Sequence, residues 1–195
     1  MSSALGEREE PLVAEPQQDV PQGADHATMV RIGQAVMLHR GGDREEARNR
    51  FAALWTETDM DADLFHRCTI AHYMADTQDD PVDELAWDLR ALAAADALEQ
   101  DGAGRAEHRS AVRSLYPSLY LDLAADHVKL GEEEAARSEL EQARRRLEAL
   151  PADAYRQGLL AAVERLEKRI ADGAASPGGR PGDADGPDTG TDPQP

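Results

Sequence analysis

The chain has 195 residues, a formal charge of -18 and only 4% aromatic residues. This length is typical of one domain with a substantial core. The negative charge disfavours nucleic acids and anionic membranes as partners, because both are bound by surfaces rich in Lys and Arg. The low aromatic content, beside abundant Ala, Leu, Glu and Arg, predicts an all-α protein.

The two ends of the chain differ in composition from its middle. Residues 1–25 and 173–195 are rich in Pro, Gly, Asp or Gln and have no periodic apolar face. Such segments cannot bury enough surface to offset the entropy cost of ordering, so we predict that both are disordered and that residues 26–172 form the folded domain. The first residues show no basic and apolar secretion signal, and no apolar run approaches the roughly 20 residues of a membrane-spanning helix. We therefore expect a soluble, cytoplasmic protein.

The folded part begins with a predicted helical hairpin. Two apolar stripes with helical spacing lie on either side of Gly41 and Gly42. The stripes consist of Met29, Ile32, Val36 and Met37, and then of Ala47, Phe51, Leu54 and Trp55. Gly42 is expected to end the first helix in the left-handed conformation, and Asp43 to cap the second helix with Glu46 as its capping-box partner.

Further helices follow in chain order. Residues 62–77 predict a third helix, and a fourth begins at Pro81 and runs to about residue 98, with a stripe formed by Leu85, Leu89 and Leu92. Residues 105–130 continue the helical pattern, which Pro117 is expected to kink or split. After the turn at Gly131, residues 132–150 predict a sixth helix and residues about 153–171 a last, capping one. About seven helices are therefore predicted.

Two segments 89 residues apart carry the same pattern of residue types. The first set precedes the second by 89 positions throughout: Ala35, Leu38, Gly42, Ala47, Phe51 and Leu54, then Ala124, His127, Gly131, Ala136, Leu140 and Ala143. Together with Tyr120 and Leu123, the second set reproduces the spacing of the tetratricopeptide consensus. The chain thus resembles a tetratricopeptide repeat (TPR) protein with a diverged middle repeat, and its Ala, Arg, Asp and Gly bias resembles that of bacterial proteins from high-GC genomes, such as those of actinobacteria. The resemblance implies a stack of antiparallel helical hairpins in a short right-handed superhelix; an irregular helical bundle is the structural alternative.

The resemblance also implies a function. In this family the first helix of each hairpin lines a concave groove that binds an extended peptide or a partner's helix. The groove residues, by register, are Ile32, Val36, His39, Arg40, Cys68, His72, Asp76, Leu121, Ala125, Val128 and Lys129. Arg40 and Lys129 would receive an acidic or C-terminal group of the partner. We therefore expect an adaptor or scaffold for protein partners, with no catalytic residue, no metal and no cofactor.

Two other hypotheses remain open at this point. Cys68, His72 and Asp76 share one helical face, which is the order of groups that a thiolate nucleophile needs. A small enzyme or metal-binding protein centred on Cys68 and His72 is therefore an alternative, and it predicts a lowered thiol pKa or a bound metal. No CxxC or HExxH spacing supports it, so a polar lining of the groove is the preferred interpretation. The third hypothesis is a regulatory module whose partner is a second copy of the chain, forming a homodimer through the apolar ends of the stack.

Overall fold

The computed structural model describes residues 20–60, 63–101 and 105–175. These residues form seven α-helices and no β-strand, which confirms the predicted all-α class. The helices are α1 (Val20–Arg40), α2 (Arg44–Glu57), α3 (Leu64–Ala75), α4 (Pro81–Gln100), α5 (Ala106–Lys129), α6 (Glu133–Leu147) and α7 (Ala154–Ala175).

Three details differ from the sequence predictions. Helix α1 begins at Val20, so residues 20–25 are helical although disorder was expected there. Helix α7 extends to Ala175, and the remaining residues of both predicted disordered ends lie outside the described part of the chain. Helix α5 continues through Pro117 as one helix, so the predicted split is wrong. Pro117 is buried beside Tyr116 and Leu119 in this helix, and their packing outweighs the one backbone hydrogen bond that proline cannot donate.

The turn between α1 and α2 has the predicted left-handed glycine and aspartate cap, whereas the carboxylate of Glu46 accepts from Arg50 and does not close the predicted capping box. Gly42 has a φ of +92°, the left-handed conformation that glycine adopts without steric cost. Its N–H donates to the carbonyl of His39 at 3.0 Å, and the N–H of Asp43 donates to the carbonyl of Leu38 at 3.0 Å. The Asp43 carboxylate accepts a hydrogen bond from the N–H of Glu46 at 3.3 Å, which caps α2. Local sequence therefore determines this hairpin turn.

The turn between α5 and α6 repeats the same geometry 89 residues later. Gly131 has a φ of +77°. Its N–H donates to the carbonyl of Val128 at 3.2 Å, and the N–H of Glu132 donates to the carbonyl of His127 at 2.8 Å. The matched core positions are also buried alike, at no more than 2% exposure: Ala35, Ala47, Phe51 and Leu54 in the first hairpin, and Ala124, Ala136, Leu140 and Ala143 in the second. The repeat seen in the sequence is thus also a repeat of backbone conformation and burial.

The helices pack in chain order. Within the described residues, α1, α3 and α5 each contact the next odd-numbered helix, and each even-numbered helix contacts the helices before and after it. The rings of Trp55 on α2 and Trp87 on α4 also meet edge to face, with centroids 5.0 Å apart. Three apolar clusters, around Phe51, Tyr116 and Leu140, fill the space between the helices. None of the described helices combines the length and apolar character that a membrane-spanning segment requires.

Candidate functional site

The predicted groove residues differ widely in exposure. Ile32 and Cys68 are 2% and 0% exposed and belong to the apolar core, which corrects their assignment to a binding surface. The half-buried members are Val36, His39, His72, Leu121, Ala125 and Val128. The exposed members are Arg40, Asp76 and Lys129.

Two groups of these residues already have partners inside the protein. Leu121, Ala125 and Val128 pack against the apolar cluster that α5 shares with α6 and α7, so only part of each side chain faces outwards. The Lys129 ammonium lies 2.5 Å from a carboxylate oxygen of Glu84 and 3.0 Å from one of Asp126. Lys129 is therefore neutralised within the chain, which disfavours its predicted role in receiving an acidic group.

The structure does not support a thiolate at Cys68. Its side chain is fully buried in the cluster formed by α3, α4 and α5. Burial, together with the negative charge of Asp96, raises the pKa of the Cys68 thiol to about 12. The burial and the raised pKa of this thiol both disfavour the thiolate nucleophile or thiolate metal ligand that the alternative hypothesis places at Cys68.

A group of polar side chains that the sequence analysis did not assemble lies between α3, α4 and α5. We call it the buried acidic cluster: His72, Asp88, Asp122 and Asp126. One ring nitrogen of His72 and one carboxylate oxygen each of Asp88 and Asp122 lie within 4.8 Å of one another. His72 Nδ1 lies 3.3 Å from Asp122 Oδ2. The carboxyl groups of Asp88 and Asp126 lie within hydrogen-bonding distance of each other.

Several polar atoms of the buried acidic cluster make no hydrogen bond. Asp88 and Asp126 are 2% and 1% exposed, yet Oδ1 of Asp88 and Oδ2 of Asp126 have no donor. His72 Nδ1 also makes no hydrogen bond, although Asp122 Oδ2 lies 3.3 Å from it. Buried polar atoms are almost always paired, since an unpaired one costs free energy. These three atoms therefore call for a shared proton or a bound ion between the side chains.

The electrostatics of the cluster favour protonated or cation-bound carboxyl groups. Burial and the nearby carboxylates of Asp122 and Asp126 raise the pKa of Asp88 to about 10. Burial and the carboxylates of Asp76 and Asp126 raise the pKa of Asp122 to about 8. Burial also raises the pKa of Asp126 and lowers that of His72. His72 is accordingly a neutral imidazole, which is the form that ligates metals.

A second polar group links α1, α3 and α5 at another place. The carboxylate of Asp25 lies 2.9 Å from Nε2 of His66, 3.1 Å from Nε2 of His108 and 2.5 Å from the guanidinium of Arg105. His108 also stacks on the ring of Phe65, with centroids 4.5 Å apart. This carboxylate is surrounded by donors, so the group is explained as a bridge that holds the three helices together.

The sequence analysis missed Asp88, Asp122 and Asp126 for an identifiable reason. The apolar stripe predicted for α4 consisted of Leu85, Leu89 and Leu92. In the structure Leu89 is 50% exposed, and the buried face of α4 contains Asp88, Ala91 and Ala95. A signal was present in the spacing of Asp122 and Asp126, which lie four residues apart on one face of α5. Such pairs are common on solvated helices, so only the packing of α3 and α4 against this face distinguishes them.

Comparison of the chain with known protein families, with curated proteins and with solved structures finds no match. The interpretation of the site rests on its own geometry, in which the buried carboxyl group of Asp88 converges with the half-buried side chains of His72 and Asp122.

Proposed function

We propose that this chain is a tetratricopeptide-like interaction protein that binds a segment of a partner protein along the layer formed by α1, α3 and α5. The observation that supports this most directly is the repeated turn. Gly42 and Gly131 share the left-handed conformation and the same pattern of backbone hydrogen bonds. A hairpin that recurs with the same buried positions is the unit from which helical-repeat proteins are built. In such proteins the first helices of the hairpins form a layer that commonly serves as the binding surface.

The surface of this layer suggests the chemistry of the partner segment. Val36 on α1 and Leu121 on α5 are half-buried apolar side chains, and Asp76 at the end of α3 and Asp122 on α5 add carboxyl groups to the same layer. The lysine on this layer, Lys129, is occupied by Glu84 and Asp126. A segment with apolar side chains and Lys or Arg residues therefore complements the surface better than an acidic one, and the charge of -18 would speed its encounter.

The proposal is tested by site-specific photo-crosslinking in the source cells. A benzophenone amino acid replaces Gly33 on α1, where a side chain would meet open space, or Ala52, an exposed position on α2. We expect a specific crosslinked protein from position 33 and not from position 52. Replacing Asp76 by Arg should reduce the yield at least fivefold, whereas Asp172→Arg, an equal charge change on α7, should leave it unchanged. Crosslinking of the same proteins from both positions, or of none, would contradict the proposal.

A further inference from the structure

The buried acidic cluster holds more negative charge than its neighbours neutralise. The carboxyl groups that interact there belong to Asp76, Glu84, Asp88, Asp122 and Asp126. The ammonium of Lys129 contacts Glu84 and Asp126. Among the described residues no Lys or Arg forms an ion pair with Asp88 or Asp122. A buried carboxylate without a cation is strongly unfavourable, so Asp88, which is 2% exposed, needs a proton or a bound cation.

The spacing of the polar atoms is close to that of a metal site. Zinc and similar ions bind imidazole nitrogen and carboxylate oxygen at about 2.0–2.2 Å, which places adjacent ligand atoms about 3.4 Å apart in a tetrahedral site. His72 Nδ1 and Asp122 Oδ2 are already 3.3 Å apart. A carboxylate oxygen of Asp88 lies within 4.8 Å of the ligand atoms of His72 and Asp122. A small rotation of the Asp88 side chain would therefore complete a set of three metal ligands. Oδ1 of Asp88 and Nδ1 of His72 make no hydrogen bond that this movement would break.

We propose that His72, Asp88 and Asp122 bind one divalent transition-metal ion between α3, α4 and α5, with Asp126 hydrogen-bonded beside them. No metal was expected from the sequence, because no CxxC or HExxH spacing is present, and the alternative metal site at Cys68 and His72 included none of the carboxyl groups of α4 and α5. One imidazole with two carboxylates suits Zn²⁺, Mn²⁺ or Fe²⁺, whereas Mg²⁺ and Ca²⁺ prefer ligand sets made of oxygen alone. The site does not depend on partner binding, so it can be tested independently of the proposed function.

The ion also has a route into the site. The side chain of Asp122 is 38% exposed and that of His72 is 16% exposed, whereas Asp88 is almost completely buried. An ion would therefore meet Asp122 and His72 first and then Asp88. Since three protein atoms leave coordination positions open, water or a partner's side chain would complete the coordination of the ion.

A proton shared by Asp88 and Asp126 is the competing explanation of the unpaired atoms. Such a proton would satisfy both carboxyl groups without any metal. The two explanations differ in what Asp88→Asn does. The amide can replace a shared proton, because its N–H₂ donates to Asp126, but it cannot replace a carboxylate ligand. Metal affinity therefore separates the explanations, whereas stability alone does not.

The test is a calorimetric titration of the full-length protein, stripped with EDTA, with ZnCl₂ or MnCl₂ in the presence of excess Mg²⁺. We expect one site per chain in the wild type and affinity at least tenfold weaker in both Asp88→Asn and Asp122→Asn. Asp83→Asn, an exposed change on the same helix as Asp88, is the matched control and should bind like the wild type. In parallel, saturating Zn²⁺ should raise the melting temperature of the wild type and of Asp83→Asn, and leave that of Asp88→Asn unchanged.

Two results would overturn the proposal. One is the absence of saturable binding by the wild type up to millimolar metal, which would leave the shared proton as the explanation. The other is binding that Asp83→Asn and both ligand variants retain equally, which would place the ion on the acidic surface or beside His66 and His108. If Asp88→Asn failed to fold, Asp122→Asn would decide the question, because its partly exposed side chain contributes less to the core.

Discussion

Replacing Asp88 by Asn tests how much the buried acidic cluster lowers the free energy of unfolding of the metal-free protein. The carboxyl group of Asp88 is 2% exposed, faces Asp126 and has an unpaired Oδ1. Asn has the same shape, carries no charge and offers an N–H₂ group that can donate to Asp126. We therefore expect the variant to be more stable than the wild type, which is the reverse of the usual effect of a core substitution.

The magnitude follows from the pKa of Asp88. At pH 7 the folded carboxyl group, with a pKa of about 10, keeps its proton, whereas the unfolded one, with its ordinary pKa of 3.8, has lost it. Taking up this proton on folding costs roughly 4 kcal/mol at pH 7. Asp122 and Asp126 share the interaction, so we assign about half of this cost to Asp88, about 2 kcal/mol. That corresponds to an increase in melting temperature of roughly 4–8 °C.

The pH dependence gives the sign of the effect. The pKa of Asp88 is higher in the folded state, so the free-energy cost of taking up the proton is absent well below pH 3.8. The cost increases as the pH rises above 3.8 and stops increasing near pH 10. Thermal unfolding of the metal-free proteins in EDTA, followed by circular dichroism from pH 5 to pH 9, should show a stability gain that grows with pH. The control Asp83→Asn changes an exposed carboxylate on the same helix and should show no such trend. A variant less stable than the wild type, or a gain that does not change with pH, would refute the reasoning.

Three further predictions concern the core and the turns. Gly42→Ala and Gly131→Ala should each lower the free energy of unfolding by about 1–2 kcal/mol, because the left-handed conformation strains alanine; equal urea midpoints would contradict this. Phe51→Ala should lower the free energy of unfolding by about 3–5 kcal/mol in the same assay, because the Phe51 side chain is 0% exposed. A decrease below about 1 kcal/mol would mean that neighbouring side chains fill the space left by the ring. The Cys68 thiol should react with a disulfide reagent at pH 8 only after unfolding in urea, because burial raises its pKa to about 12; rapid labelling of the folded protein would exclude this assignment.

Features determined by a few adjacent residues were predictable from the sequence. Gly42 and Asp43 end one helix and begin the next through hydrogen bonds to residues within five positions, so their types alone predict the turn. The repeat at an offset of 89 residues was equally visible, because it is a pattern of residue types. Helix α5 differs, since the effect of Pro117 depends on the packing of Tyr116 and Leu119 in the folded protein.

The buried acidic cluster was not predictable from periodicity. Hydropathy ranks Leu above Ala, so the leucines of α4 predict the wrong buried face. In the fold, Ala91 and Ala95 are buried because small side chains let α3 and α5 approach closely, and Leu89 is left half exposed. Asp88 shares the face of these alanines. Its burial therefore follows from the rotation of α4 about its axis, which is decided by contacts with helices distant in sequence.

The packing of each helix on near neighbours in the chain also bears on how the protein opens. Most packing between the described helices joins each helix to the next or the next but one, so most loops that folding closes are short, and α7 can separate without disturbing α1 to α3. A longer-range contact is the bridge from Asp25 on α1 to Arg105 and His108 at the start of α5. We expect amide hydrogens to exchange fastest in the terminal helices and slowest in α3, α4 and α5. The most slowly exchanging segment would then be the one that contains Asp88. Exchange of a proton held by Asp88, which is 2% exposed, would be limited by the rate at which the centre of the chain opens, whereas a metal ion could leave past Asp122 and His72 without that opening.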